Sequence, residues 1–169
     1  MNIVQLAVVG GVFAVLVFIH FVVDWLFQTH DQAMAKATDA LVRAKHCTVY
    51  TMGFVPLLWA LHVPMVLAVL CIQILFWSHY LEDTYVPVYL WAKYVRKPKG
   101  VNFINAAVLN STQGGLAPGY QTETFEYAKD ILGFKTWMGT PLGAILGITV
   151  DQIIHLAFLL LVAFLLVMA

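Results

Sequence analysis

Charged residues are scarce in this chain of 169 residues. Asp, Glu, Lys and Arg together make up 11% of it, whereas average soluble domains carry about a quarter. Hydrophobic residues make up 62%, and the mean hydropathy is +0.84. The formal net charge is zero, which argues against nucleic acid or an acidic macromolecule as the main partner. The composition predicts an integral membrane protein whose main surroundings are membrane lipids.

Cysteine is also rare, with only Cys47 and Cys71 in the chain. Both lie inside apolar stretches, so small buried side chains are a better interpretation than a disulfide or a CxxC-type site. The sequence contains no glycine-rich phosphate loop, no nucleophile elbow and no His-Glu-x-x-His motif, which are signatures of several enzyme classes. Any function therefore has to come from a less standard arrangement of residues.

Long apolar stretches set the predicted fold. An α-helix needs about 20 residues to cross a hydrocarbon core of about 30 Å. The predicted spans are approximately residues 3–27, 44–62, 64–81 and 142–169. Tyr, Trp and Lys are frequent between residues 82 and 99, which is typical of an interfacial helix. The prediction is a single all-α domain over residues 1–169, a polytopic protein with four transmembrane helices, an interfacial helix and a cytoplasmic loop at 97–141.

Basic residues define the predicted topology. All nine lie at or within the connections between spans one and two or between spans three and four: Lys36, Arg43, Lys45, Lys93, Arg96, Lys97, Lys99, Lys129 and Lys135. Four spans would place both connections on the same side, which the positive-inside rule makes cytoplasmic. Both termini are then expected outside the cytoplasm.

Three pairs of His and Asp at helical spacing are the most informative feature. They are His20 with Asp24, His79 with Asp83, and Asp151 with His155. A spacing of four residues places both side chains on one face of a helix. Four antiparallel spans would bring these pairs and His46 to a similar depth near the cytoplasmic face. Because ionisable groups inside a membrane are costly, their convergence predicts a functional cluster.

Imidazole and carboxylate groups are common ligands of zinc, manganese and iron. The predicted ligands of a divalent metal are His20, Asp24, His46, His79, Asp83, Asp151 and His155. This set exceeds one tetrahedral site, so it would suit two metals, or one metal with a surrounding layer of partners. The leading hypothesis is metal-dependent hydrolysis of a lipid-linked or amphipathic substrate, with Asp24 or Asp83 as the general base.

Two interpretations from other classes stay open. Polar residues in membrane helices also join helices by hydrogen bonds. The chain would then be a non-enzymatic scaffold that assembles with a membrane-protein partner or with copies of itself. The third interpretation is an ion or proton carrier, in which the same His and Asp residues pass charge along the bundle.

The pattern resembles a known family. The residues that carry the resemblance are His20-x-x-x-Asp24-x-x-x-Gln28, Lys36, His46-x-x-x-Tyr50, His79-x-x-x-Asp83 and Asp151-Gln152-x-x-His155. They are similar to the domain-of-unknown-function family 3307, small membrane proteins of bacteria and their phages. The resemblance covers nearly all four spans but not the loop from Gly100 to Pro141. It implies a bacterial inner-membrane protein and names no activity.

Overall fold

The computed structural model describes residues 1–96, 134 and 137–168, and all regular structure within them is helical. The helices are α1 (Ile3–Phe21), α2 (His30–Ala35), α3 (Ala40–Met52), α4 (Val55–Ala60), α5 (Met65–Glu82), α6 (Val86–Trp91) and α7 (Pro141–Met168). Two of them continue as wider π-helical turns, α1 through Val22–Leu26 and α6 through Ala92–Arg96. The all-α prediction is confirmed.

Side chains just before three of the helices explain where those helices begin. Asn2 accepts a hydrogen bond from the backbone N–H of Gln5 at the start of α1, and Thr29 does the same for α2. Asp39 accepts from two backbone N–H groups at the start of α3. Such caps satisfy N–H groups that have no partner within the helix. They fix the starts of α2 and α3, which carry polar residues toward the candidate site.

The prediction of four membrane-spanning helices is confirmed only in part: among the residues that the structure describes, three helices, not four, are long and apolar enough to cross a membrane. These are Ile3–Leu26, Met65–Glu82 and Pro141–Met168. The predicted second span, residues 44–62, is instead divided between α3 and α4, with a break at Gly53 and Phe54. Because of this break, neither α3 nor α4 reaches the length of about 20 residues that a span requires. The first half of α3 also carries the basic residues Arg43 and Lys45.

The chain forms two compact units. The first comprises Met1–Pro87 and Asp151–Ala169. Its core contains apolar side chains from α1, α3, α4, α5 and the second half of α7: Val9, Leu16, Val23, Tyr50, Phe54, Leu58, Cys71, Leu75, Leu159, Val162 and Ala163. As the sequence indicated, both cysteines are buried and free.

The first unit has two distinct ends. At one end an apolar cleft is lined by Val8, the turn at 61–64 and Leu166. At the other end lie the polar residues of the candidate site, at the C-terminal ends of α1 and α5. The α3–α4 pair therefore runs from the polar end of this unit to its apolar end, although neither helix is long enough to span a membrane.

The second unit comprises Val88–Val150. Among its described residues, Val88, Ala92 and Trp137 are buried, and the rings of Trp91 and Trp137 lie 6.4 Å apart. The predicted interfacial helix overlaps α6 and the π-helical turn that follows it. Most of the predicted loop, 97–141, lies outside the described residues.

Candidate metal centre

Three ligand-type atoms from different helices meet at the polar end of the first unit. Nε2 of His46 lies 3.0 Å from Oδ1 of Asp24 and 3.0 Å from Nε2 of His79. Nε2 of His79 lies 3.5 Å from the same Asp24 oxygen. Ligands placed tetrahedrally at zinc distances are about 3.3 Å from one another. The three separations therefore fit one small metal ion between the three side chains.

The position of each of these side chains within its helix explains how the three meet. Asp24 lies in the π-helical turn at the end of α1, a distortion that often occurs at functional sites. His46 lies in the second turn of α3, and His79 in the last turn of α5. All three are buried, with exposures between 0 and 3%.

Asp83 completes the ring of polar atoms. Its Oδ2 atom lies 3.5 Å from Nε2 of both His46 and His79. Asp83 is 3% exposed, and among the described residues this oxygen has no hydrogen-bond partner. Buried carboxylate oxygens are nearly always satisfied. Oδ2 of Asp83 is therefore free to face a group held between the two imidazoles.

Lys36 brings a positive charge to the carboxylates. Its ammonium lies 2.8 Å from Oδ1 of Asp83 and 3.7 Å from Oδ1 of Asp24. Burial disfavours the ammonium, but the negative charge of Asp83, then of Asp24, outweighs it and raises the pKa of Lys36. Lys36 is thus a charged partner of the site.

The positive and negative charges of the described site do not balance. Asp24, Glu82 and Asp83 are each 3% exposed, and Lys36 is the ammonium that contacts two of them. The other nearby cation, Arg43, donates to the carbonyl of Lys36 at 2.8 Å and packs over the ring of Tyr80. Three carboxylates, one ammonium and the guanidinium of Arg43 leave one net negative charge when the imidazoles are neutral. Buried charges require compensation, to which a bound cation would contribute.

Behind His79, a second layer involves α7. Nδ1 of His79 lies 2.7 Å from Nε2 of His155. On the far side of that ring, Nδ1 of His155 lies 2.9 Å from the carbonyl of Asp151 and 2.8 Å from Oε2 of Glu82. The Asp151 carboxylate is more distant, at 3.8 Å. His155 thus contacts a proposed ligand with one nitrogen and two acceptors with the other.

His20 belongs to a separate hydrogen-bonded chain. Its Nδ1 lies 3.2 Å from the hydroxyl of Tyr50, and its Nε2 lies 3.1 Å from Oε1 of Gln152. With the Gln152 oxygen as acceptor, Nε2 of His20 donates and Nδ1 accepts the tyrosine proton. Gln152 in turn donates to Asp151 at 3.3 Å. This chain ties the end of α1 to α7.

The structure thus brings all seven predicted residues into one neighbourhood but gives them different surroundings. Asp24, His46, His79 and Asp83 face one another. His155 contacts His79 from outside this group, whereas Asp151 contacts His155 and His20 contacts Tyr50 and Gln152. Their roles as ligands or bases stay predictions.

Sequence reasoning missed Glu82. It lies three residues after His79 on α5, so the two share a helix face, but the residue was assigned to the start of an interfacial segment. Cys47 was interpreted as an ordinary buried side chain. Its sulfur forms, with His79 and Asp83, a second group of potential ligands within 4.8 Å of one another.

Comparison with known proteins adds a family. The family model described as "Protein of unknown function (DUF3307)" matches residues 12–104, more than half of the chain. The matched region contains Asp24, Lys36, His46, His79 and Asp83, and it ends before α7. Searches among curated proteins and among solved structures give no match.

Proposed function

The chain belongs to the DUF3307 family of proteins of unknown function, and from that premise we propose that it is a membrane protein that binds one divalent transition-metal ion. The ligands are Asp24, His46 and His79. The observation that carries the proposal is the set of separations among their three facing atoms, 3.0, 3.0 and 3.5 Å.

The donor set indicates which metals fit. Two imidazole nitrogens and a carboxylate oxygen suit zinc, manganese or iron. The net negative charge of the buried carboxylates and their cationic neighbours favours a bound cation at this position. Oδ2 of Asp83, 3.5 Å from Nε2 of both His46 and His79, is the candidate fourth ligand.

We further propose that the centre hydrolyses a lipid-linked or amphipathic substrate. A bound metal of this kind activates water and polarises the bond to be broken. Three protein ligands with a further open position are typical of catalytic metal sites, in contrast to closed structural ones. Asp24 is occupied as a ligand in this arrangement, so Asp83 is the better candidate for the general base. Lys36 holds its other oxygen and leaves Oδ2 directed at the site.

Three helices of the described chain are long and apolar enough to cross a membrane, which supports a membrane location, and we propose the bacterial inner membrane. The candidate centre would lie near its cytoplasmic face, because Lys36 contacts it and Arg43 and Lys45 lie on α3 beside His46. A substrate with an apolar tail would reach the centre from the lipid phase.

Complete burial favours a second candidate function. His20 and His79 are 0% exposed, and His46 is 1% exposed. A site closed to this degree also suits a structural metal that holds the helices together in a scaffold or in an assembly with a partner. The two candidates share the metal and differ in the role of Asp83.

Metal analysis of the protein purified in detergent tests the shared proposal. We expect about one zinc, manganese or iron ion per chain, and its loss in His46→Gln and His79→Gln. The matched control is His30→Gln, because His30 is exposed. A wild-type protein that neither carries a stoichiometric metal nor gains thermal stability from any of these ions would overturn it.

Asp83→Asn separates the two candidates. If Asp83 is the base, the variant retains the metal and the fold but loses hydrolysis, because an amide cannot take up a proton. Activity can be screened with lipid-linked phosphate and ester substrates in mixed micelles. A wild-type protein that holds its metal but hydrolyses none of them, and unfolds when the metal is chelated, supports the structural role.

A further inference from the structure

His79 is contacted on both of its nitrogens, and the two contacts face opposite directions. Nε2 faces Asp24 and His46, whereas Nδ1 lies 2.7 Å from Nε2 of His155. A neutral imidazole has one N–H and one lone pair. For Nε2 to offer its lone pair to a metal, the proton must lie on Nδ1. His155 is then the acceptor of that proton's hydrogen bond.

The same reasoning assigns the proton of the His155 imidazole. If Nε2 of His155 accepts from His79, its Nδ1 carries the proton and needs an acceptor. The carbonyl of Asp151 is in hydrogen-bonding position at 2.9 Å, and Oε2 of Glu82 lies 2.8 Å away as an ion-pair neighbour. Neither can donate when Glu82 is ionised, so in a neutral His155 both favour the tautomer that accepts from His79.

Glu82 has few other partners. It is 3% exposed, and among the described residues neither of its oxygens has a hydrogen bond of good geometry. Burying a carboxylate is costly unless it has a partner, and its close polar neighbour is His155. We therefore explain the burial of Glu82 by its contact with Nδ1 of His155, which it orients.

We propose that Glu82 and His155 are positioning residues that hold His79 in the tautomer with the proton on Nδ1. Glu82 orients His155, and His155 orients His79, so that Nε2 of His79 presents its lone pair to the metal. The proposal rests on the metal centre of the proposed function, but the tautomer it assigns is a property of the chain alone.

The positioning residue His155 lies in a different part of the chain from the proposed ligands. The three proposed ligands and Glu82 lie within residues 12–104, the part that matches the family. His155 lies outside that part, on α7. The last helix therefore contributes an orienting group to a site whose ligands come from α1, α3 and α5.

Two measurements on the full-length protein in detergent test this inference. Nitrogen NMR of ¹⁵N-histidine-labelled protein reports which ring nitrogen of His79 carries the proton, with or without metal. Titration with Zn²⁺ or Co²⁺ reports affinity, and the Co²⁺ absorption spectrum reports the ligand set. The variants are His155→Phe, His155→Gln and Glu82→Leu, with His30→Gln as the control.

In the wild type we expect the proton of His79 on Nδ1. His155→Phe should lose this preference and weaken metal affinity by about 10- to 100-fold, the usual effect of removing a group that orients a ligand. The Co²⁺ spectrum of the loaded variant should keep the wild-type ligand set. His155→Gln should recover part of the affinity, because its side-chain oxygen can accept from Nδ1 of His79. Glu82→Leu should fall between wild type and His155→Phe.

Wild-type His79 with the proton on Nε2, or a tautomer unchanged in His155→Phe, would overturn the inference. So would two metal ions per chain with one lost in Glu82→Leu, since Glu82 would then be a ligand. If the wild type binds no metal, the proposed function fails, and the NMR result alone decides the positioning role. If His155→Phe does not fold, the comparison of His155→Gln and Glu82→Leu with wild type gives the answer.

Discussion

The ring of Tyr50 lies flat against the imidazole of His79, with centroids 3.7 Å apart and planes 5° from parallel. The hydroxyl of the same tyrosine lies 3.2 Å from Nδ1 of His20. Tyr50 therefore fixes two histidines from two helices, one through its face and one through its hydroxyl.

Substitutions at Tyr50 should separate these two contacts. Tyr50→Phe keeps the stacked ring but leaves Nδ1 of His20 buried without a donor, which costs about 1–3 kcal/mol. Tyr50→Leu also removes the ring contact, worth about a further 0.5–1.5 kcal/mol. Thermal unfolding in detergent should rank wild type above Phe and Phe above Leu. Tyr94→Phe, at an exposed position, should match wild type; equal stability of all four would contradict both contacts.

Lys36→Met should destabilise the protein strongly. The substitution leaves Asp83 buried without the ammonium that now lies 2.8 Å away. Removing one partner of a buried ion pair typically costs about 3–5 kcal/mol. Lys45→Met is the matched control, because Lys45 is exposed. Chemical denaturation of both variants checks the prediction, and a similar small effect in both would show that Asp83 does not depend on Lys36.

Gly53→Ala should disturb the site from a distance. A Cβ atom at Gly53 would overlap Cγ1 of Val23, the residue before Asp24. Overpacking of this kind typically costs about 1–3 kcal/mol, and displacement of Val23 should also weaken metal binding. Gly11→Ala is the control, since its Cβ would meet nothing within 4 Å. The measurements are thermal stability and metal affinity, and a Gly53→Ala variant as stable as Gly11→Ala would be evidence against the close packing.

Asp39 should add an acid-dependent component to stability. The backbone N–H groups of Val42 and Leu41 lower the pKa of its carboxyl. A lowered folded-state pKa stabilises the fold above the unfolded-state value, about 3.9, and that contribution is lost as the pH falls through the folded-state pKa. Asn is an equally good cap, so Asp39→Asn should match wild type at pH 7. As the pH falls below about 4, toward the lowered folded-state pKa, the wild type should lose more stability than the variant; parallel pH profiles would contradict this.

Topology provides the last prediction. Reporter fusions near Gly115 should be cytoplasmic, and fusions at Ala169 should lie on the opposite side, because basic residues remain inside. A single cysteine at His62, in a chain with Cys47 and Cys71 replaced, tests whether the α3–α4 pair also crosses. Labelling of this cysteine from the outside supports a crossing, and labelling only from the cytoplasm contradicts it.

Much of the helical content could be predicted from the sequence, because long apolar runs have a direct physical cause in burial or lipid contact. Three of the four predicted spans correspond to helices with nearly the same bounds. The second failed because Gly53 and Phe54 interrupt the helix. Average hydrophobicity does not reveal such a break.

The candidate site was predictable in outline for a different reason. The spacing of His79 and Asp83 places both on one helix face whatever the rest of the chain does. Which nitrogen of His79 faces which neighbour depends on helix rotation and tertiary packing, which spacing does not contain. Glu82 was missed because its assignment depended on where α5 ends.

The confinement of the polar cluster to one end of the first unit bears on how helices of this composition would insert into a bilayer. Asp24 lies near the C-terminal end of the first candidate span, and Glu82 and Asp83 lie at or just after the end of the second. If each helix inserts with its N-terminal end leading, the carboxylates at its C-terminal end stay near the surface from which insertion starts. No carboxylate of α1 or α5 would then have to pass through the hydrocarbon core, so its high transfer cost would be avoided during biogenesis.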